Sequence, residues 1–203
     1  MNPQLRHRWD QVLPRITAPD FLAGRGIGNE IACYVFDYPA DDELAIRESL
    51  GLLRQRLDRE HADLQVVHLD LLDQILAYLK SRNFLDRAIE SQKKKDDAQL
   101  LRALEGPLAA ERVAEFIGKQ YPLKDSDLIL LSGIGSMWPM LRAHALLNCL
   151  HPLIGTTPLV MFYPGSFDGT SLSLFDKISN STTQVREKPY YRAFSLVPQE
   201  SNL

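Results

Sequence analysis

Chemistry in this chain, if it has any, would sit where glycines, small hydroxyls and acids follow apolar runs. Two glycine clusters stand out, Gly24-Arg-Gly26-Ile-Gly28 and Ser132-Gly133-Ile-Gly135-Ser136. A phosphate-binding loop follows a strand and opens a helix, so that free backbone N–H groups face the anion. The first cluster precedes an apolar run and is therefore in the wrong place. The turn after that run, Asp37-Tyr-Pro-Ala-Asp-Asp-Glu43, has no glycine or lysine and carries four acids that would repel phosphate. The second cluster is better placed, but Gly-x-Gly alone is a weak signal, and its glycines also suit close packing of Trp138 or of a helix on a sheet.

Nucleophile and metal chemistry find less support. Ser132 and Ser136 adjoin glycines, yet Gly-x-Ser-x-Gly is absent and the sequence assigns no histidine and acid to complete a triad. The five histidines, His7, His61, His68, His144 and His151, are dispersed, and the last two lack the spacing of a zinc helix. Asp37 and Asp70 fall at the ends of apolar runs, where capping or turn carboxylates are expected. No catalytic residue, metal site or cofactor is therefore expected, and the chain reads as a non-enzyme.

The elements that must position these residues are strands. Residues 31–37, 127–132 and 158–163 are built on continuous apolar runs rather than alternating ones, as strands covered on both faces require, and 64–70 reads as a further strand. Helical patterns separate them: 41–59, with acids at its start and arginines at its end, 71–80, and about 139–150. A short helix around 172–178 and a terminal strand over 190–197 complete the order. An opening helix over 3–22 is expected to break at Pro14 and close near Pro19. The fold class is α/β, a mostly parallel sheet of about five strands flanked by helices, with a degenerate P-loop-like architecture that lacks its nucleotide loop as a further expectation.

At 203 residues, 45% hydrophobic and 24% charged, the chain is expected to form one α/β domain over 1–203, with the polar stretch 81–121 as a helical insertion or arm. A net charge of −3 does not announce nucleic acid or membrane as a partner. Cys33 and Cys149 lie in apolar stretches and read as buried thiols of a reducing compartment, so a cytoplasmic location is expected. No run approaches the roughly 18 apolar residues of a membrane span.

Several segments together resemble a known family. They are Phe21-Leu-Ala-Gly-Arg-Gly-Ile-Gly-Asn-Glu-Ile with Phe36-Asp-Tyr-Pro39, Ser132-Gly-Ile-Gly-Ser-Met-Trp-Pro139 with Leu141-Arg-Ala-His144, Val160-Met-Phe-Tyr-Pro-Gly165 with Asp168-Gly-Thr-Ser-Leu172, and Tyr191-Arg-Ala-Phe194. In order and spacing they resemble the BrxB family of bacteriophage-exclusion (BREX) defence islands, over about residues 20–197. The resemblance implies a role in anti-phage defence beside a methyltransferase, a large ATPase and the alkaline-phosphatase-like PglZ, and carries no catalytic residues with it. The leading expectation is an adaptor that binds another BREX component, PglZ first. Candidate residues for a partner or ligand are the loops at strand carboxyl ends: Asp37, Gly133, Gly135, Trp138, Arg142, Tyr163, Gly165, Phe167 and Asp168. Trp138, Tyr163 and Phe167 are expected to be the exposed aromatics among them. Two alternatives stay open: a nucleotide sensor or enzyme built on 132–139 with Asp37, Arg142 and Asp168, and a DNA-binding module using Lys93-Lys-Lys95 and the arginines at 6, 8 and 15. Self-association is also open.

Overall fold

A computed structural model describes residues 1–24, 33–94, 97–175, 178–179 and 193–199. The chain opens with three short helices, α1 (Pro3–Asp10), α2 (Val12–Ile16) and α3 (Pro19–Leu22). Strand β1 (Cys33–Tyr38) and the long helix α4 (Glu43–Glu60) follow. Next come β2 (Val66–Asp70), α5 (Leu71–Ser81), α6 (Leu85–Lys94), α7 (Asp97–Glu105) and α8 (Ala110–Gln120). The remainder is β3 (Leu128–Ser132), α9 (Ile134–Met137), α10 (Ala143–Ile154), β4 (Leu159–Phe167), β5 (Leu172–Leu174), β6 (Ile178–Ser179) and β7 (Ala193–Ser195).

Five strands lie in the order β2-β3-β4-β1-β7, all parallel, while β5 and β6 extend β4 as an antiparallel hairpin. The fold is thus the expected α/β class. The central strands are buried on both faces, with Leu128 to Leu131 and Leu159 to Phe162 all at 0% exposure, which is why their sequences are unbroken apolar runs. One face packs on α5, α8, α9 and α10 through Ile75, Val113, Ile117, Leu146 and Leu150. The other packs on α1, α2 and α4 through Val12, Ile16, Ile46, Leu50, Leu53 and Leu57. Trp9 meets Phe36 edge-on at 5.6 Å, so α1 is tied to the middle of the sheet.

Several local expectations are corrected. The opening helix breaks at Gln11 rather than Pro14, because a proline in the first turn of α2 gives up only an N–H that has no intrahelical partner. Pro19 begins α3 instead of closing a helix, for the same reason. Residues 172–174 are a strand, not a helix: the β4 hairpin supplies backbone partners that local propensity does not see. The helix expected from Pro139 starts at Ala143. Cys33 is buried, and burial pushes its thiol up to about 12, whereas Cys149 is only half-buried. Within 81–121, α8 joins the core, while α6 contributes no buried residue. The first glycine cluster beyond Gly24, the start of the terminal strand and Lys95 lie outside the described residues. No helix among the described residues is long and apolar enough to cross a membrane.

Candidate functional site

Open parallel sheets bind ligands in the crevice beyond strand carboxyl ends, where neighbouring strands send their connections to opposite faces. Here β1 leads into α4 on one face, while β3 leads into α9 and α10 on the other. The crevice between them falls at the ends of β1 and β4, at Asp37 and Tyr163 to Phe167.

The protein fills this position itself. Asp37 is buried at 3% exposure, and Arg8 of α1 donates to its Oδ1 at 2.6 Å and to its backbone carbonyl at 2.8 Å. The same guanidinium donates to the Val197 carbonyl at 3.0 and 2.8 Å and lies 4.9 Å from the centre of the Phe36 ring. Asp37 Oδ2 accepts from the Phe167 N–H at 3.2 Å and from Gln199 Nε2 at 2.9 Å. One carboxylate therefore joins α1, β1, the β4 hairpin and the C-terminal segment. Beside it, the Tyr38 hydroxyl donates to Glu43 at 2.6 Å, and burial beside that carboxylate pushes the phenol far up, so it stays protonated.

A second cluster forms at the ends of β2 and β3. The parallel register sets Asp70 opposite Ser132. Side chains two apart on a strand share a face, so His68 joins them. Ser132 Oγ donates to Asp70 Oδ2 at 3.2 Å and lies 2.9 Å from His68 Nε2. A carboxylate can only accept, so when the hydroxyl proton goes to Asp70, Oγ accepts from an Nε2–H of His68. That is the reverse of a nucleophile's arrangement, in which the imidazole takes the serine proton and the acid holds Nδ1. Burial lowers the His68 pKa against the opposing pull of Asp70, keeping the ring neutral at neutral pH. Asp70 also caps α5, with Oδ1 accepting from Leu72 N at 3.0 Å. An open groove of about 730 Å³ runs past His68 and Asp70, bordered by Arg47, Asp73, Gln74 and Tyr121. Sixty-two positions separate Asp70 from Ser132, so their meeting is not legible along the chain, where the local signal is His-x-Asp closing a strand.

The second glycine cluster packs rather than cradles. Gly133 adopts φ +75° at the start of α9, and a Cβ there would lie 2.8 Å from Asp70 Oδ1. A Cβ on Gly135 would press at 3.0 Å on both Phe175 and Pro164. At Gly165 (φ +155°) it would fall 2.1 Å from the Ser173 carbonyl, so the hairpin closes only over glycine. Arg47 of α4 donates to Ser136 at 3.2 Å, bracing α9 from the side.

The predicted aromatics separate. Trp138 is 43% exposed and stands edge-on to Phe175 at 6.5 Å, and Phe167 is half-buried. Tyr163 corrects the expectation of exposure: at 2% it belongs to the core, because β4 places it on the covered face. Arg142 precedes α10 as its N-cap residue. Asp168 closes an exposed turn, accepting from the N–H and hydroxyl groups of Thr170 and Ser171 at 2.7–2.8 Å, and those bonds hold its carboxyl far below the usual range.

Comparison with known proteins places the chain in context. Residues 67–196 match the family model described as BREX protein BrxB. The chain is similar to a BREX protein BrxB of Escherichia coli O9:H4 (strain HS), at 37% identity over 98% of this chain and 94% of the relative. It is also similar to a BREX protein BrxB of Bacillus cereus (strain H3081.97), at 33% identity over 96% of this chain and 98% of the relative. No solved structure matches.

Proposed function

Because this chain belongs to the BrxB family of BREX phage-defence proteins, we propose that it serves there as a non-enzymatic adaptor that binds another BREX component, PglZ in the first instance. What supports the reading is the occupation of the ligand position by the protein's own groups. Arg8 and Gln199 converge on Asp37, with the Val197 carbonyl holding the Arg8 guanidinium in place, where an open α/β enzyme would admit substrate. A binding role then falls to what stands outside that plug: Trp138 on its Phe175 support, with the half-buried Phe167 and the Asp168 turn at the adjoining hairpin. Trp is over-represented among interface anchors because a rigid ring delivers large contact area at low entropic cost. The lightly packed α6, with Phe84 and Ile89 at 38% and 47% exposure beside it and on it, offers a second contact region. Location in the cytoplasm follows from the same proposal. Co-expression with PglZ and the other island components tests it: co-elution of the chain with PglZ through size exclusion is expected, and elution alone at micromolar concentration and low salt would sink it.

A second reading, an enzyme built on 132–139, draws on the 2.9 Å approach of Ser132 Oγ to His68 Nε2 beside an open groove. It needs the proton order reversed from that described. Labelling of Ser132 by a fluorophosphonate, lost in His68→Gln, would favour it over the adaptor.

A further inference from the structure

Helix α4 carries a glycine that its own fold does not need. Gly51 lies mid-helix on the exposed side, and a Cβ there meets nothing within 4 Å. A helix-interior glycine weakens a helix relative to alanine, so the position carries a local cost that no contact among the described residues offsets. The face around it is also unusual. The buried stripe is Ile46, Leu50, Leu53 and Leu57; on the opposite side Leu44 and Leu52 stand at 76% and 57% exposure, on either side of Glu48.

Charge runs along this helix in opposite senses. The turn leading into the helix and its first residues, 41–48, hold four acids and one arginine, with Asp42 held by the Met1 amine at 2.9 Å, whereas 54–60 hold three arginines and two acids. An antiparallel partner of the same sequence would bring each acidic end to the other's basic end. With a two-fold axis passing between residues 51 and 52, the leucine at 52 of each copy meets the glycine notch at 51 of the other. The same axis sets Leu44 along the aliphatic stem of the other copy's Arg59, whose guanidinium then reaches toward the acidic end. This is a self-complementary, isologous surface, the form a closed dimer requires.

We propose that the outer face of α4 is a homodimer interface, two copies packing antiparallel through Leu52 against Gly51. A helix of this length offers on the order of half the roughly 800 Å² that each partner gives to a standard interface, so the dimer belongs to the weak, readily exchanging class. The interface is built from other residues than those of the Trp138 region, so its test is separate from that of PglZ binding.

Sedimentation equilibrium of the full chain, taken up to about 500 µM because weak interfaces dissociate at lower concentration, is expected to give a monomer–dimer equilibrium. Leu52→Arg should abolish it. Gly51→Gln should melt at a higher temperature than the wild type when dilute, since glutamine is the better helix former, yet self-associate at least about tenfold more weakly. Glu48→Lys should weaken association, and Arg59→Glu combined with it should restore part of the loss. A chain monomeric at every concentration, or a dimer indifferent to Leu52→Arg, overturns the proposal. So does a monomeric chain whose binding to another island component is lost in Leu52→Arg, which would assign the face to that partner.

Discussion

The Arg8 guanidinium reaches Asp37 Oδ1 at 2.6 Å across the carboxyl end of β1, with both side chains at or below 10% exposure. Two residues from opposite faces of the topological crevice thus neutralise each other where a ligand would otherwise lie. Removing one partner leaves a buried, uncompensated charge, typically a loss of about 3–5 kcal/mol. We expect Asp37→Leu and Arg8→Met each to destabilise by that order in urea denaturation, and the double variant carrying both to lose less than the sum of the two. Additive losses would show that the pair is not coupled.

The same plug bears on catalysis. Phosphoryl transfer is largely positioning and charge stabilisation, and among the described residues the end of β1 carries the Arg8–Asp37 pair rather than a cradle for phosphate. The purified chain is expected to show no ATP hydrolysis above background; turnover that disappears in Asp37→Ala would contradict this.

Gly133 and Gly51 form an internal contrast. Gly133→Ala forces a Cβ to within 2.8 Å of Asp70 Oδ1 at φ +75°, and should cost about 1–3 kcal/mol by thermal melting, through strain and a disturbed α5 cap. Gly51→Ala, with open space and helical backbone, should be neutral or stabilising. Equal effects at the two sites would remove the special role of the 133 turn.

His68 predicts a pH slope. Its folded pKa lies below the ordinary value of 6.5, because burial outweighs the opposing influence of Asp70. As pH falls below about 6.5 the unfolded chain takes up the proton before the folded one does, so stability should decline on acidification from pH 7 toward 5. His144, also lowered by burial, adds in the same direction. His68→Gln should flatten part of the decline in urea midpoints; an unchanged slope would show that His68 does not contribute.

Trp138→Ala should weaken the PglZ complex by about 2 kcal/mol or more, the size of an interface anchor, while leaving the monomer's melting temperature within a few degrees of the wild type. Loss of folding without selective loss of binding would return Trp138 to a packing role.

The positions of the central strands β1, β3 and β4 and the α/β class were legible along the chain because burial on both faces leaves unbroken apolar runs such as Leu128 to Leu131, a signal that needs no knowledge of neighbours. Helix α4 was legible for a similar reason, its period and end charges being local. The meeting of Ser132 with Asp70 and His68 was not, since it depends on the β2–β3 register, and a slip of one residue would turn the three apart. Nor was the partner of Asp37, which comes from a helix that precedes it by 29 positions. Tyr163 and Trp138 make the distinction plainest. Tyr163 ends an apolar run and Trp138 follows one, both near glycines, yet one is core and the other exposed, because side-chain direction on a strand or turn is settled only when the sheet and the helices covering it close around the chain.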